Sequence, residues 1–169
     1  MTSYEGQRQG DGLRIAVVVS RFNQLVTGLL LDGALEGLAE LGVDRASITM
    51  AHVPGAFELP LVAQRLAASG DHDAVICLGA VIRGETDHHL HVGGQAAAGC
   101  QRVQLDTGVP VVLGVLTTDT LEQALARAGA GPVGGAAPQS VGHGHKGHDS
   151  AVAAVEMADL LRQLPKDRA

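Results

Sequence analysis

The densest chemistry in this chain lies in Gly79-Ala80-Val81-Ile82-Arg83-Gly84-Glu85-Thr86-Asp87-His88. These residues follow the apolar run Ala74-Val75-Ile76-Cys77-Leu78. The order reads as a buried strand, a glycine-bearing turn and the opening of a helix, and ligand chemistry in parallel α/β sheets sits beyond the carboxyl ends of the strands. Backbone N–H groups from Gly84 to Thr86 offer an anion a seat, and the Thr86 hydroxyl adds a donor. The imidazole of His88 can carry a proton near neutral pH. Phe22 and Phe57 are the only phenylalanines. Both fall in turns that follow strands, where a flat ligand could stack on them.

These residues need a scaffold, and the rest of the chain spells one. Leu13 to Ser20 is almost wholly apolar, as a strand buried on both faces is. Asn23 stands as the N-cap of a helix over residues 24–41, in which Leu31, Leu35, Leu38 and Leu41 keep helical spacing, and Gly42 closes it. Residues 47–53 are the next strand and Pro54-Gly55 the turn. Residues 57–68 are the next helix, with Pro60 in its first turn. Residues 73–78 predict a third strand, 86–105 a third helix with Thr86 as a candidate cap, and 109–116 a fourth strand. Two overlapping capping boxes, Asp119 with Glu122 and Thr120 with Gln123, open a short helix that ends at Arg127-Ala128-Gly129. Residues 129–147 read as a long loop rich in Gly, Ala, Pro and His. Asp149 then caps a last helix, 150–164, which Pro165 ends.

Strand and helix alternate four times, with one helix added. This predicts an α/β three-layer sandwich: a four-stranded parallel sheet in flavodoxin-like order, flanked by helices and joined by right-handed crossovers. Residues 1–12 form a polar, flexible segment with the capacity to add an N-terminal edge strand, residues 13–164 one domain, and residues 165–169 a tail. The four strand-to-helix turns, near 20–23, 54–58, 80–88 and 116–118, must all emerge on one edge of the sheet.

Composition narrows the function. At 169 residues the chain can bury a real core, and with 2% aromatics that core must be aliphatic. A net charge of −6 with no basic stripe argues against nucleic acid as a partner. No apolar run reaches the ~18 residues of a membrane span, and the first residues lack the apolar centre of a signal peptide, so the expectation is a cytoplasmic protein with no membrane partner. Cys77 and Cys100 have no metal-type spacing and read as buried thiols. His143, His145 and His148, with His88, His89 and His91, invite a metal reading. No cysteine or carboxylate cluster completes a site, so no metal is expected.

From about Leu13 to Leu164 the chain resembles the lumazine synthase family. The motifs that carry the resemblance are Ser20-Arg21-Phe22-Asn23, Val53-Pro54-Gly55-Ala56-Phe57-Glu58-Leu59-Pro60, Leu78 to His88, Gly114-Val115-Leu116-Thr117-Thr118, Glu122 to Gly129, and Lys146-Gly147. The resemblance implies condensation of 5-amino-6-(D-ribitylamino)uracil with 3,4-dihydroxy-2-butanone 4-phosphate. The product would be 6,7-dimethyl-8-ribityllumazine, formed with loss of phosphate and water, in riboflavin biosynthesis, with no cofactor. It also implies a homopentamer whose neighbouring subunits share each site.

Residue by residue, the resemblance implies that Phe22 stacks on the pyrimidine and that Ala56, Phe57 and Glu58 hold the ribityl chain and ring. Ala80, Val81 and Ile82 line the ring's edge. Glu85 and Thr86 receive the phosphate, Arg127 reaches it from the adjacent subunit, and His88 moves protons. Lys146 and Asp149 match a basic and an acidic position near the site. Each has a plainer reading as well: Arg127 as a last-turn residue answering the helix dipole, Phe22 as a hydrophobic staple, Lys146 as a solvated charge, Asp149 as a helix cap.

The sequence departs from the family at three places. After the histidine the family usually reads His-Phe-Asp-Tyr-Val, whereas here it is His88-His89-Leu90-His91-Val92. Leu113 stands where many members set an aromatic against the pyrimidine. The 129–147 loop is long, which suggests a free pentamer or decamer over a sixty-subunit shell. These departures keep open a second reading, a divergent flavin- or lumazine-binding or scaffold relative with little turnover.

Overall fold

Side chains alternate across a strand, so a run that is apolar at every position must be covered on both faces. The computed structural model, which describes residues 1–130 and 144–165, meets that demand. Strands β1 (Ile15–Ser20), β2 (Ile48–Val53), β3 (Ala74–Ile82) and β4 (Val111–Thr118) form one parallel sheet in the order β2-β1-β3-β4. Helices α1 (Gln24–Glu40), α4 (Leu121–Arg127) and α5 (Lys146–Gln163) cover the face that carries Ile15, Val17, Ile76 and Leu78. Helices α2 (Leu59–Ala68) and α3 (His88–Thr107) cover the face that carries Ala16, Val18, Val75 and Cys77. The result is the expected three-layer α/β architecture in flavodoxin-like order, with an aliphatic core. Cys77 and Cys100 are buried free thiols within it.

Several boundaries fall elsewhere than the local pattern predicts. β3 runs on through Gly79, Ala80, Val81 and Ile82, because β4 supplies register partners as far as Thr117 and Thr118. The turn is therefore only residues 83–87, and Asp87 rather than Thr86 is the N-cap of α3. α5 begins at Lys146, with His145 as its N-cap, so Asp149 lies in the first turn and is not the cap. Asn23 makes no side-chain cap to α1. Thr120 caps α4 by accepting from the Gln123 N–H at 3.2 Å, whereas Asp119 lies 3.6 Å from Arg83. α1 closes as expected. Gly42 sits at φ 85°, and the N–H groups of Gly42 and Val43 return to the Ala39 and Leu38 carbonyls.

No edge strand precedes β1 among the described residues. The N-terminal segment instead lies against the end of α5. The Gln7 N–H donates to Asp159 Oδ2 at 2.8 Å, Gln163 Nε2 donates to the Glu5 carbonyl at 2.8 Å, and Arg8 pairs with Glu156 at 2.5 Å. Pairing with water-exposed helix ends satisfies these groups without extending the sheet. Residues 131–143, most of the predicted 129–147 loop together with His143, and residues 166–169 of the predicted tail lie outside the described residues.

Candidate active site

The three turns beyond β1, β2 and β3 are stitched to one another by main chain and one amide. Extended pairing beyond the sheet brings the Arg21 N–H to the Val53 carbonyl at 2.9 Å and the Phe22 N–H to the Pro54 carbonyl at 3.1 Å. Asn23 Nδ2 donates to the Ala80 carbonyl at 2.8 Å. Asn23 is the one non-glycine residue with positive φ among the described residues, at φ 58° and ψ 47°. Asparagine tolerates that left-handed conformation better than most side chains. The effect is to set Phe22 at the mouth of β1 with its ring left in solvent.

Between these turns lies a cavity of about 430 Å³, a volume suited to a small organic ligand. Its wall brings together Phe22, Ala56, Phe57, Glu58, Ala80, Val81, Ile82, Thr86 and His88, nine of the residues singled out from the sequence. Phe22 is 68% exposed and Phe57 59% exposed, an apolar surface uncovered at the cavity edge. The Glu58 carboxylate folds back over Gly55: a Cβ built there would stand 3.0 Å from Oε2. The wall also holds Asn23, Gly55, His89 and Val92, to which the sequence assigns no site role, together with Gly84 of the expected anion turn. Asn23 occupies the N-cap position that the sequence predicts, while its side chain turns to the Ala80 carbonyl.

The turn after β3 has the form an anion requires. The Arg83 N–H is taken by the Thr118 carbonyl at 2.8 Å, which continues the strand pairing by one residue. Beyond it, the N–H groups of Gly84, Glu85 and Thr86 find no acceptor among the described residues. They precede a 20-residue helix whose first turn adds further unpaired N–H groups and the positive end of the helix dipole. α3 presses close to β4 here, for a Cβ on Gly93 would come within 2.7 Å of Thr117 Oγ1. His88 is the first residue of that helix and is exposed.

Five predicted site residues stand off this cavity. Glu85 is exposed on the turn but does not line the wall. Leu113 lines a separate hollow with Ala97, Ala98, Cys100 and Gln101. Arg127 is exposed in the last turn of α4, and Lys146 and Asp149 occupy the first turn of α5.

Among the described residues no three His, Cys, Asp or Glu side chains converge as a metal site. His148 is engaged elsewhere, with Nε2 2.9 Å from Glu40 Oε2. Among the described residues no helix is long and apolar enough to cross a membrane.

The wall thus offers aromatic faces, free main-chain groups, a carboxylate and two imidazoles beside a turn of unpaired N–H groups. A family model described as 6,7-dimethyl-8-ribityllumazine synthase matches residues 12–162 of the chain.

Proposed function

We propose that this chain, which belongs to the 6,7-dimethyl-8-ribityllumazine synthase family, joins 5-amino-6-(D-ribitylamino)uracil to 3,4-dihydroxy-2-butanone 4-phosphate. The products are 6,7-dimethyl-8-ribityllumazine, phosphate and water. The observation that carries this reading is the single cavity in which a flat-ligand surface, Phe22 and Phe57, meets an anion turn and a proton carrier, Thr86 and His88.

Each half of the wall then takes one substrate. Phe22 covers the pyrimidine, while the main chain of Ala56 and of Ala80 to Ile82 meets its edge. Phe57 and Glu58 hold the ribityl hydroxyls. Glu85 and Thr86 take the phosphate through N–H groups and a hydroxyl. Imine formation, phosphate elimination and ring closure each move a proton, and His88 stands where it can give and take one. Holding two substrates in one cavity supplies a large part of the acceleration through orientation alone.

Arg127 and Leu113 act from a neighbouring copy in this reading, in a pentamer or decamer. A guanidinium fork from the neighbour then stabilises the charge that builds on the departing phosphate. Lys146 and Asp149 flank the site in the same reading, and no cofactor takes part.

The test is to mix the purified chain with both substrates and follow lumazine absorbance against the uncatalysed background. Clear acceleration supports the proposal. Folded protein that binds a flavin or lumazine without acceleration would instead favour a binding relative.

A further inference from the structure

Three titratable side chains stand on the cavity wall, Glu58, His88 and His89, and the proposed reaction uses only the first two. His89 is 9% exposed although it lies in the first turn of α3. A buried imidazole needs partners for its ring nitrogens. Nδ1 lies 3.2 Å from the Thr86 carbonyl oxygen. A carbonyl only accepts, so Nδ1 carries the hydrogen, and in the neutral ring the lone pair falls to Nε2. Nε2 takes no hydrogen bond among the described residues, yet it is not sealed away. The buried side-chain polar atoms left without a partner there are Ser20 Oγ and His145 Nδ1. His89 is itself one of the residues that line the cavity.

Beside that ring are the unpaired N–H groups of Gly84, Glu85 and Thr86, and His89 holds their turn in place through the Thr86 carbonyl. We propose that His89 is a phosphate-binding residue of this cavity, fixing the turn through Nδ1 and donating a charge-assisted hydrogen bond to the anion from Nε2. A phosphate dianion in the seat draws a proton from solvent onto Nε2, and the imidazolium so formed faces the anion. Apart from the Arg127 that the proposed reaction brings from a neighbouring copy, the charged groups nearby do not replace it. Glu58 on the wall and Glu85 and Asp87 on the turn are carboxylates, and Arg83 is turned toward Asp119 at 3.6 Å. His88, the neighbour on the helix, is committed to proton transfer.

The inference rests on the proposed reaction in taking the phosphate group as the anion. Inorganic phosphate, the released product, probes it without turnover. The experiment adds inorganic phosphate at pH 7 to the full chain labelled with ¹⁵N in its imidazoles, and measures phosphate affinity by calorimetry. The expected result is that the His89 Nε2 signal moves from the lone-pair to the N–H range. In His89→Asn, whose amide keeps a donor for the Thr86 carbonyl but has no Nε2, the phosphate Kd rises roughly ten-fold. A His89 signal that phosphate leaves unmoved, or a wild type that binds no phosphate, overturns the proposal, and the spectral arm needs no variant to fold. Wild type that binds phosphate at His89 but forms no lumazine removes the reaction and leaves this site standing. Lumazine formation with an unaltered KM for the butanone phosphate in His89→Asn removes the site and leaves the reaction standing.

Discussion

His88 and His89 are adjacent in sequence but face different physical problems. His88 is exposed at the first position of α3, and His89 is buried against the turn. An exposed imidazole at a cavity rim can exchange protons with substrate without repacking anything. Replacing it should therefore cost chemistry and not fold. His88→Ala is expected to lower kcat by ~10²-fold or more with little change in KM, and to leave the thermal midpoint close to wild type, as surface substitutions do. Steady-state kinetics beside a melting curve checks both halves, and unchanged kcat would remove His88 from the reaction. The place of His88 on the cavity wall was legible in the sequence because its neighbours Gly84 to Thr86 announce a turn. Asn23 holds the N-cap position that the sequence predicts, but its amide bridges to Ala80 in place of capping, because a cap and a left-handed bridge use the same residue type. Only the approach of the Ala80 carbonyl, 57 residues away, decides between them.

At the scale of elements, the junction of α1, α4 and α5 depends on one imidazole. His145, the N-cap of α5, fills a slot made by two glycines. A Cβ on Gly33 would lie 2.0 Å from its Cε1, and a Cβ on Gly129 2.2 Å from its Cδ2. Its Nδ1 has no partner among the described residues. Burial holds this imidazole below its ordinary titration range, and the neighbouring His148 adds to the effect; its own backbone, Asp149 and Glu36 pull the other way. The folded form therefore takes up its proton at lower pH than the unfolded form does. Stability is unaffected above the unfolded value of ~6.5 and falls as the pH drops below it. The melting temperature should decline between pH 7 and pH 5.5, and His145→Gln should decline less over the same interval. Equal declines in the two proteins would clear His145 of the effect. The same junction explains why the start of α5 was not legible. Lys146-Gly147 carries no helix signal by itself, and the helix begins there because Gly147 fits against the Leu30 carbonyl of α1, where a Cβ would come within 2.1 Å. Strand identity, by contrast, was legible, most plainly in β1 and β3, since continuous apolar runs have few other uses. Only their ends, such as Gly79 to Ile82 of β3, waited on the partner strand.

The whole molecule raises a different question, because one chain does not gather the full set of predicted residues. The cavity holds Phe22, Glu58, Thr86 and His88, while Arg127 ends α4 and Leu113 lines another hollow. If a neighbouring copy supplies Arg127, the site belongs to a pair of chains, and genetics can separate the two contributions. His88→Ala and Arg127→Ala should each be poorly active, the second mainly through a raised KM for the phosphate substrate. Unfolded together in equal amounts and refolded as a ring, they should recover activity. A site is intact when an Arg127→Ala chain gives His88 and a His88→Ala neighbour gives Arg127. Random assembly makes that true at about a quarter of the sites of a cyclic oligomer. Recovery near a quarter of the wild-type rate, in particles that light scattering sizes as pentamers or decamers, is the expected outcome. Mixtures no more active than the separate variants would mean that each chain completes its own site. The exposed guanidinium at the end of α4 would then have to reach the cavity from within the same subunit.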